Sequence, residues 1–166
     1  MIAVDTRIEG EHAGTIDAST PEVVARAAEA SGPVLVLLHH QFESTRVPLL
    51  PARNPVRRSR SASSARPARG RPGSLVSSGH THRNRIRTHR SVTVTEVGSP
   101  KDFPGTWGAY ELYEGGIAQT VWRVAEPRAL AWTELTARTA LHAWGRWANG
   151  RFEDRCVTVF GRSDAE

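Results

Sequence analysis

The first part of the chain alternates short apolar runs with a helical pattern. Ile2 and Val4 indicate a strand within 1–5. Pro21 follows Ser19 and Thr20, either of which is a good helix N-cap, so a helix is predicted over 21–30. Five consecutive apolar residues at 34–38 lie between Gly32-Pro33 and polar residues. A run of that length predicts a strand buried on both faces of a sheet.

The last part of the chain predicts more strands, a hairpin and a helix. Strands are expected at 74–78 and 92–97, and a hairpin is expected where Glu114-Gly115-Gly116 joins two apolar stretches. A single helix is predicted over 128–147, followed by a strand at 156–160. The order of elements predicts an α/β fold with a mixed sheet, and the five tryptophans are expected to pack in its core.

The middle of the chain has a different composition from its two flanks. Positions 44–73 are rich in Arg, Ser, Ala and Pro and have no helical or strand period. From Ser44 to Thr95 there are 12 arginines and no acidic residue, whereas the remaining 10 basic residues face all 17 acidic ones. We therefore divide the chain into 1–43, 44–73 and 74–166, with a middle segment that is either disordered or translated from a shifted reading frame.

The basic segment leaves a nucleic-acid-binding function open as an alternative. Its arginines, between 46 and 90, would attract phosphate groups. No aromatic residue occurs between Ser44 and Ser99, however, and single-strand binders usually stack bases on aromatic side chains. Nucleic acid is therefore a less favoured partner. A non-catalytic interaction module that uses the tryptophans is a third alternative.

Other classes of protein are disfavoured by what the chain lacks. Cys156 is the single cysteine, which excludes an internal disulfide or a cysteine-based zinc site. No apolar run approaches the roughly 18 residues of a membrane-spanning helix, and the first residues do not resemble a secretory signal. We expect a protein without a membrane partner, located in the cytoplasm.

Two histidine clusters are the strongest chemical signal. His39 and His40 directly follow the buried strand at 34–38, and His80 and His82 lie in a Gly-His-Thr-His turn after the strand at 74–78. Ligand sites of open α/β sheets gather at the carboxyl ends of the strands. Imidazole nitrogen is a good ligand for zinc, iron or manganese, so the two clusters together predict a metal site.

These two motifs resemble the second half of calcineurin-like metallophosphoesterases, in particular the branch related to cyclic-nucleotide phosphodiesterases. The stretch 34–40 is similar to that family's strand and histidine motif, and 78–84 is similar to its final Gly-His-x-His motif. Positions 4–6, with Gly10 and Gly14, resemble the strand and loop that follow the family's Gly-Asn-His motif. The resemblance implies the second half of an α/β/β/α sandwich.

The resemblance also implies roles for individual residues. His39 and His80 would bind one metal and His82 the other, while His40 is expected to pack or to support the ligands. Arg83 and Asn84 are close enough in sequence to contact a substrate phosphate. The reaction would be metal-dependent hydrolysis of a phosphoester, with two divalent ions such as Mn, Fe or Zn in the intact family.

About half of the ligands that such a site needs are not found in this sequence. The family's Asp-x-His, Gly-Asp and Gly-Asn-His motifs have no counterpart among the residues. The sequence therefore predicts at most one metal ion, a chain that is inactive or incomplete by itself, and a need for a complementing N-terminal half. The substrate is not indicated by any motif.

Overall fold

A computed structural model describes residues 1–11, 14–15, 20–41, 68, 70–89 and 91–161. Within them are eight strands: β1 (Ile2–Val4), β2 (Leu35–Leu38), β3 (Leu75–Ser78), β4 (Arg85–His89), β5 (Val92–Glu96), β6 (Thr106–Tyr113), β7 (Gly116–Arg123) and β8 (Cys156–Phe160). Three helices are α1 (Thr20–Glu29), α2 (Pro127–Ala137) and α3 (Ala143–Ala148), and a short 3-10 turn covers Phe152–Asp154. No helix in these ranges is long and apolar enough to cross a membrane.

The strands form two sheets. The first has five strands in the order β1-β2-β3-β5-β4, in which only β4 runs antiparallel to its neighbour. The second is an antiparallel meander of β6, β7 and β8. The prediction of an α/β chain with a mixed sheet is confirmed, and the antiparallel sheet accompanies it.

Strand β2 is buried on both faces, as its unbroken apolar run predicts. Val34, Val36 and Leu38 point to a core that contains Ala27 of α1. Leu35 lies on the opposite face, with Leu75 and Ile117, in a core between the two sheets. The molecule is therefore layered as helix, mixed sheet and antiparallel sheet.

Two elements differ from the sequence-based prediction. The helix predicted over 128–147 is two helices, because Ala140, Leu141 and His142 adopt left-handed backbone angles between α2 and α3. Strand β4 was not predicted, because Ile86 is its one apolar residue and its backbone pairing with β5 stabilises it instead. The N-cap predicted at Ser19 or Thr20 lies outside the described side chains.

The prediction that the tryptophans lie in the core is wrong for three of them. Trp107, Trp122 and Trp132 are 47%, 55% and 57% exposed. Trp107 and Trp122 are paired across β6 and β7, so they share the outer face of the antiparallel sheet. The inner face of the second sheet packs on the core, with Tyr110 among its residues, whereas Trp107 and Trp122 lie on the outer face.

Most of the middle segment, 44–67 and 69, lies outside the described residues, so its predicted disorder or frame shift stays a prediction. Its last residues are described. Ala68 is buried in the core near α1. Arg71 donates hydrogen bonds to the carbonyl oxygens of Ala28, Ala30 and Gly32, at the C-terminal end of α1, where free carbonyl groups attract a cation. Packed structure therefore extends into the segment that the composition assigns as unstructured.

Candidate metal centre

The carboxyl ends of three parallel strands meet at one edge of the mixed sheet. Asp5 follows β1, His39 and His40 follow β2, and the Gly-His-Thr-His turn follows β3. The Gly79 N–H donates to the carbonyl oxygen of His39 over 3.1 Å, which continues the pairing of β2 with β3 into the turn. The two histidine clusters are thus adjacent in space, as the position of each after its strand predicts.

Three imidazoles converge at this edge. His39 Nε2 and His80 Nδ1 are 3.1 Å apart, and the centroids of the His40 and His80 rings are 4.4 Å apart. Two nitrogens bound to one tetrahedral zinc ion at 2.0–2.1 Å would be separated by about 3.3 Å. Among the described residues, His39, His40 and His80 form a group that could hold a metal ion, with ligand atoms within 4.8 Å of one another.

His40 is fixed in place by two residues from the loop after β1. Its Nδ1 is hydrogen-bonded to the Thr6 hydroxyl at 2.7 Å, and both side chains are buried. Gly14 packs against the same ring so closely that a Cβ there would lie 2.4 Å from His40 Cγ. A partner at Nδ1 orients the ring and sets which nitrogen remains for a metal, as is common for histidine ligands. The position of His40 is compatible with a ligand and also with the supporting role expected from the sequence.

The Gly-His-Thr-His turn is held in an uncommon backbone conformation. His80 and His82 both have φ of 55°, in the left-handed region that few non-glycine residues adopt. Thr81, between them, donates from its hydroxyl to the fully buried Glu96 over 2.7 Å. Glu96 is also paired with Arg87 of β4. A buried carboxylate at the end of β5 thereby anchors the turn that presents both histidines.

The histidines line an open cleft of about 680 Å³ together with charged residues. Asp5, Arg7, Glu9 and Glu11 also line it. The Arg7 guanidinium binds the Asp5 carboxylate through both Nε and Nη2, and these hydrogen bonds hold the pKa of Asp5 well below its usual range. Desolvation lowers the pKa of His39, and the nearby His82 lowers it further. The cleft thus offers imidazole nitrogens next to carboxylates, which suits a divalent cation.

His82 lies outside the three-imidazole group. Its Nδ1 is 2.7 Å from Asp102 Oδ2, and both side chains are largely buried. A carboxylate at Nδ1 leaves Nε2 as the coordinating nitrogen in many metal sites. His82 as a ligand of a second metal therefore stays a prediction, whereas the adjacency of His39 and His80 is what the sequence led us to expect.

Arg83 and Asn84, predicted to contact a substrate phosphate, do not line the histidine cleft. The Arg83 guanidinium lies 5.2 Å from the centre of the Trp147 ring, and burial lowers its pKa. Asn84 is completely buried and accepts hydrogen bonds from the Gly98 N–H and the Thr106 hydroxyl. Both side chains point into the packing around α3 and the start of β6.

The alternative of nucleic-acid binding depends on the arginines between 46 and 90. Most of 46–90 upstream of β3 lies outside the described residues. Three arginines of the described part of this segment are engaged within the protein: Arg71 with the end of α1, Arg83 with Trp147 and Arg87 with Glu96. Nucleic-acid binding stays a prediction.

Sequence reasoning missed Thr6, Arg7 and the acidic residues of the cleft. Asp5 and Thr6 follow a short strand just as the histidines do, so the rule that ligands gather at strand ends could have identified them. Asp102 gives no such signal, because it lies in a loop 20 residues after His82.

A scan against protein-family models and a search of curated protein sequences both gave no match to this chain.

Proposed function

We propose that this chain binds one divalent transition-metal ion through His39, His40 and His80 and belongs to a metal-dependent phosphoester hydrolase. The observation that carries the proposal is the convergence of three imidazoles from two strand ends into one cleft. Three imidazoles match the donor set of a zinc site that keeps a further position open.

The residues around the cleft divide into ligands and substrate-binding groups. Thr6 and Gly14 would hold the His40 ring in the orientation needed for a ligand. Arg7 is the cation at the cleft wall, and a guanidinium suits the oxygens of a phosphoester. Asp5 would keep that guanidinium turned toward the cleft through their two-point contact.

Phosphoester hydrolysis rests on the resemblance of the two histidine motifs, in a chain with the mixed sheet that the resemblance implies. A bound metal supplies the Lewis acidity that this reaction uses. The proposal also includes the family's α/β/β/α sandwich and a second metal. For the second metal, His82 would contribute Nε2, and a complementing chain would add carboxylates, which two adjacent cations require.

Metal binding is tested by calorimetric titration of Zn²⁺ and Mn²⁺ into the purified full chain. We expect one ion per chain, and we expect His80→Asn to weaken binding at least tenfold because one of three ligands is lost. His142→Asn is a matched control, since His142 also has a left-handed backbone, with φ of 66°, but lies at the start of α3. Equal losses in both variants would contradict the site.

Hydrolysis is tested separately with bis(p-nitrophenyl) phosphate and the metal-loaded chain. Turnover above that of the free metal ion, lost in His80→Asn and retained in His142→Asn, would support the hydrolase. Stoichiometric metal binding without turnover, alone or with a complementing N-terminal half, would leave a metal-binding protein and refute the phosphoesterase proposal.

A further inference from the structure

A second pocket lies away from the histidine cleft and shares no lining residue with it. Its volume is about 190 Å³, and it is enclosed by the turn before β4, the loop before β6, the inner end of β7 and the segment after α3. The side chains that define it chemically are Asn84, Arg123, Asn149 and Arg155. All four carry N–H groups, and none is acidic.

One hydrogen-bond donor of Asn84 has no acceptor within the described part of the chain. Its side-chain oxygen must be the atom that faces Gly98, because the Gly98 N–H can only donate, at 2.8 Å. The amide nitrogen is then fixed as well, and Asn84 Nδ2 is buried without a hydrogen-bond partner among the described residues. A buried donor left unsatisfied costs about 1–3 kcal/mol, so an acceptor from a ligand at this position would be stabilising.

The positive charge of Arg155 is not balanced by a carboxylate in the pocket lining. Arg155 donates to the Asn149 side-chain oxygen over 3.0 Å, and no described carboxylate is paired with it. The neighbouring Asp154 is occupied elsewhere, since it accepts from the backbone N–H groups of Ile86 and Arg151. Arg123 is paired with Glu134 and donates to the Pro104 carbonyl oxygen, which fixes its position.

We propose that this pocket, between Asn84 and Arg155, is a binding site for a small oxyanion. A guanidinium and a carboxamide donor are the groups that bind phosphate or carboxylate oxygens. Pockets for drug-sized ligands and nucleotides occupy roughly 300–1,000 Å³. At about 190 Å³ this pocket is too small for them and has room for a single inorganic phosphate or a short carboxylate.

The site is tested by calorimetric titration of inorganic phosphate into the full chain with EDTA present, at constant ionic strength. We expect one phosphate per chain and at least tenfold weaker binding in Arg155→Gln. Arg128→Gln is the matched control, because Arg128 is exposed on α2 and its change removes the same charge. Asn149→Ala removes the partner of Arg155 and should weaken phosphate binding severalfold. This variant takes the place of Arg155→Gln if circular dichroism shows that Arg155→Gln is unfolded.

Sodium acetate in place of phosphate separates the two kinds of oxyanion. Tighter binding of phosphate assigns a tetrahedral anion, and tighter binding of acetate assigns a carboxylate. The proposal is overturned if neither anion binds the folded chain, or if Arg128→Gln weakens binding as much as Arg155→Gln. It is also overturned if His80→Asn abolishes phosphate binding, since the anion would then lie in the histidine cleft.

Discussion

The histidine cleft and the Asn84 pocket differ in chemistry and in how the chain builds them. The cleft is open, offers imidazole and carboxylate groups beside the Arg7 guanidinium, and is formed by residues in the segments that follow parallel strands. The Asn84 pocket is smaller, offers guanidinium and carboxamide groups, and collects residues from four distant segments. One is suited to a cation and the other to an anion.

This difference shows that a site can be supported in two ways. At the cleft, the sheet itself sets the spacing, and it is refined by the hydrogen bond between Thr6 and His40 and by the one that Thr81 donates to Glu96. At the Asn84 pocket, loops fix the spacing through buried amide contacts such as that between Asn84 and Gly98. The two sites should therefore respond to different substitutions.

The largest effect is expected from Gly150→Ala, which acts on the Asn84 pocket. Gly150 has φ of 67°, and a Cβ there would lie 2.1 Å from the Asn84 carbonyl oxygen. Left-handed strain and overpacking together should lower the free energy of unfolding by about 2–4 kcal/mol. Urea denaturation measures the loss, and phosphate titration should show that anion binding is lost while zinc binding remains.

Gly79→Ala is the control, because a Cβ at Gly79 would meet no atom within 4 Å although it lies in the histidine turn. A change of no more than about 1 kcal/mol is expected there. If Gly150→Ala removed zinc binding from a chain that is still folded, the two sites would be coupled and not independent.

The fold is predicted well where local pattern and tertiary environment agree. The unbroken apolar run at 34–38 needs both faces buried, and β2 has both. Strand β8 also matches its predicted range. Strand β4 was not predicted because its own residues have no apolar pattern. Its backbone pairing with β5 stabilises it instead. The segment 138–142 between α2 and α3 contains no glycine or proline, so its sequence does not predict a break in the helix.

The candidate sites divide in the same way. His39 and His80 could be predicted because each is the first or second residue beyond a strand, and parallel strands end at one edge. The pairing of His82 with Asp102, and the burial of Asn84 against Gly98, depend on how loops fold back over the sheet. Contacts of that kind have no sequence period, so spacing alone does not reveal them.

An intermediate effect is expected from Thr6→Val, which acts on the cleft. Valine keeps the shape of threonine but removes the hydroxyl that binds His40 Nδ1, so the ring loses its fixed orientation. Removing such a partner of a ligand typically weakens metal binding 10- to 100-fold. Zinc titration measures this, and phosphate binding in EDTA should not change.

Thr88→Val serves as the control for this substitution, since Thr88 is exposed on β4 and the same hydroxyl is removed. Unchanged zinc affinity in folded Thr6→Val would mean that His40 is not a ligand. The metal site would then contain His39 and His80 with a ligand from elsewhere, and His82 would become the first candidate.

The smallest effect is expected from Tyr110→Phe, which acts between the sheets and away from both sites. The Tyr110 hydroxyl is 2.7 Å from Ser77 Oγ, and Ser77 also accepts from Thr95. Because Ser77 keeps the Thr95 contact, losing the phenol should cost only about 1 kcal/mol at pH 7. Neither zinc nor phosphate affinity should change, whereas a change in either would show that the layer between the sheets transmits strain.

The same variant also has a pH signature. Burial raises the pKa of Tyr110 above its ordinary value of 10.0, although the Ser77 contact opposes the shift. The unfolded chain therefore loses this proton at lower pH than the folded one, so the stability that neutral Tyr110 contributes is complete below pH 10 and declines as the pH rises further. Urea denaturation at pH 9 and pH 11 should show a smaller decline for Tyr110→Phe than for the unchanged chain. Tyr113→Phe, at a tyrosine that is 49% exposed, should leave the decline as it is, and equal declines in all three proteins would show that the buried phenol does not titrate with folding.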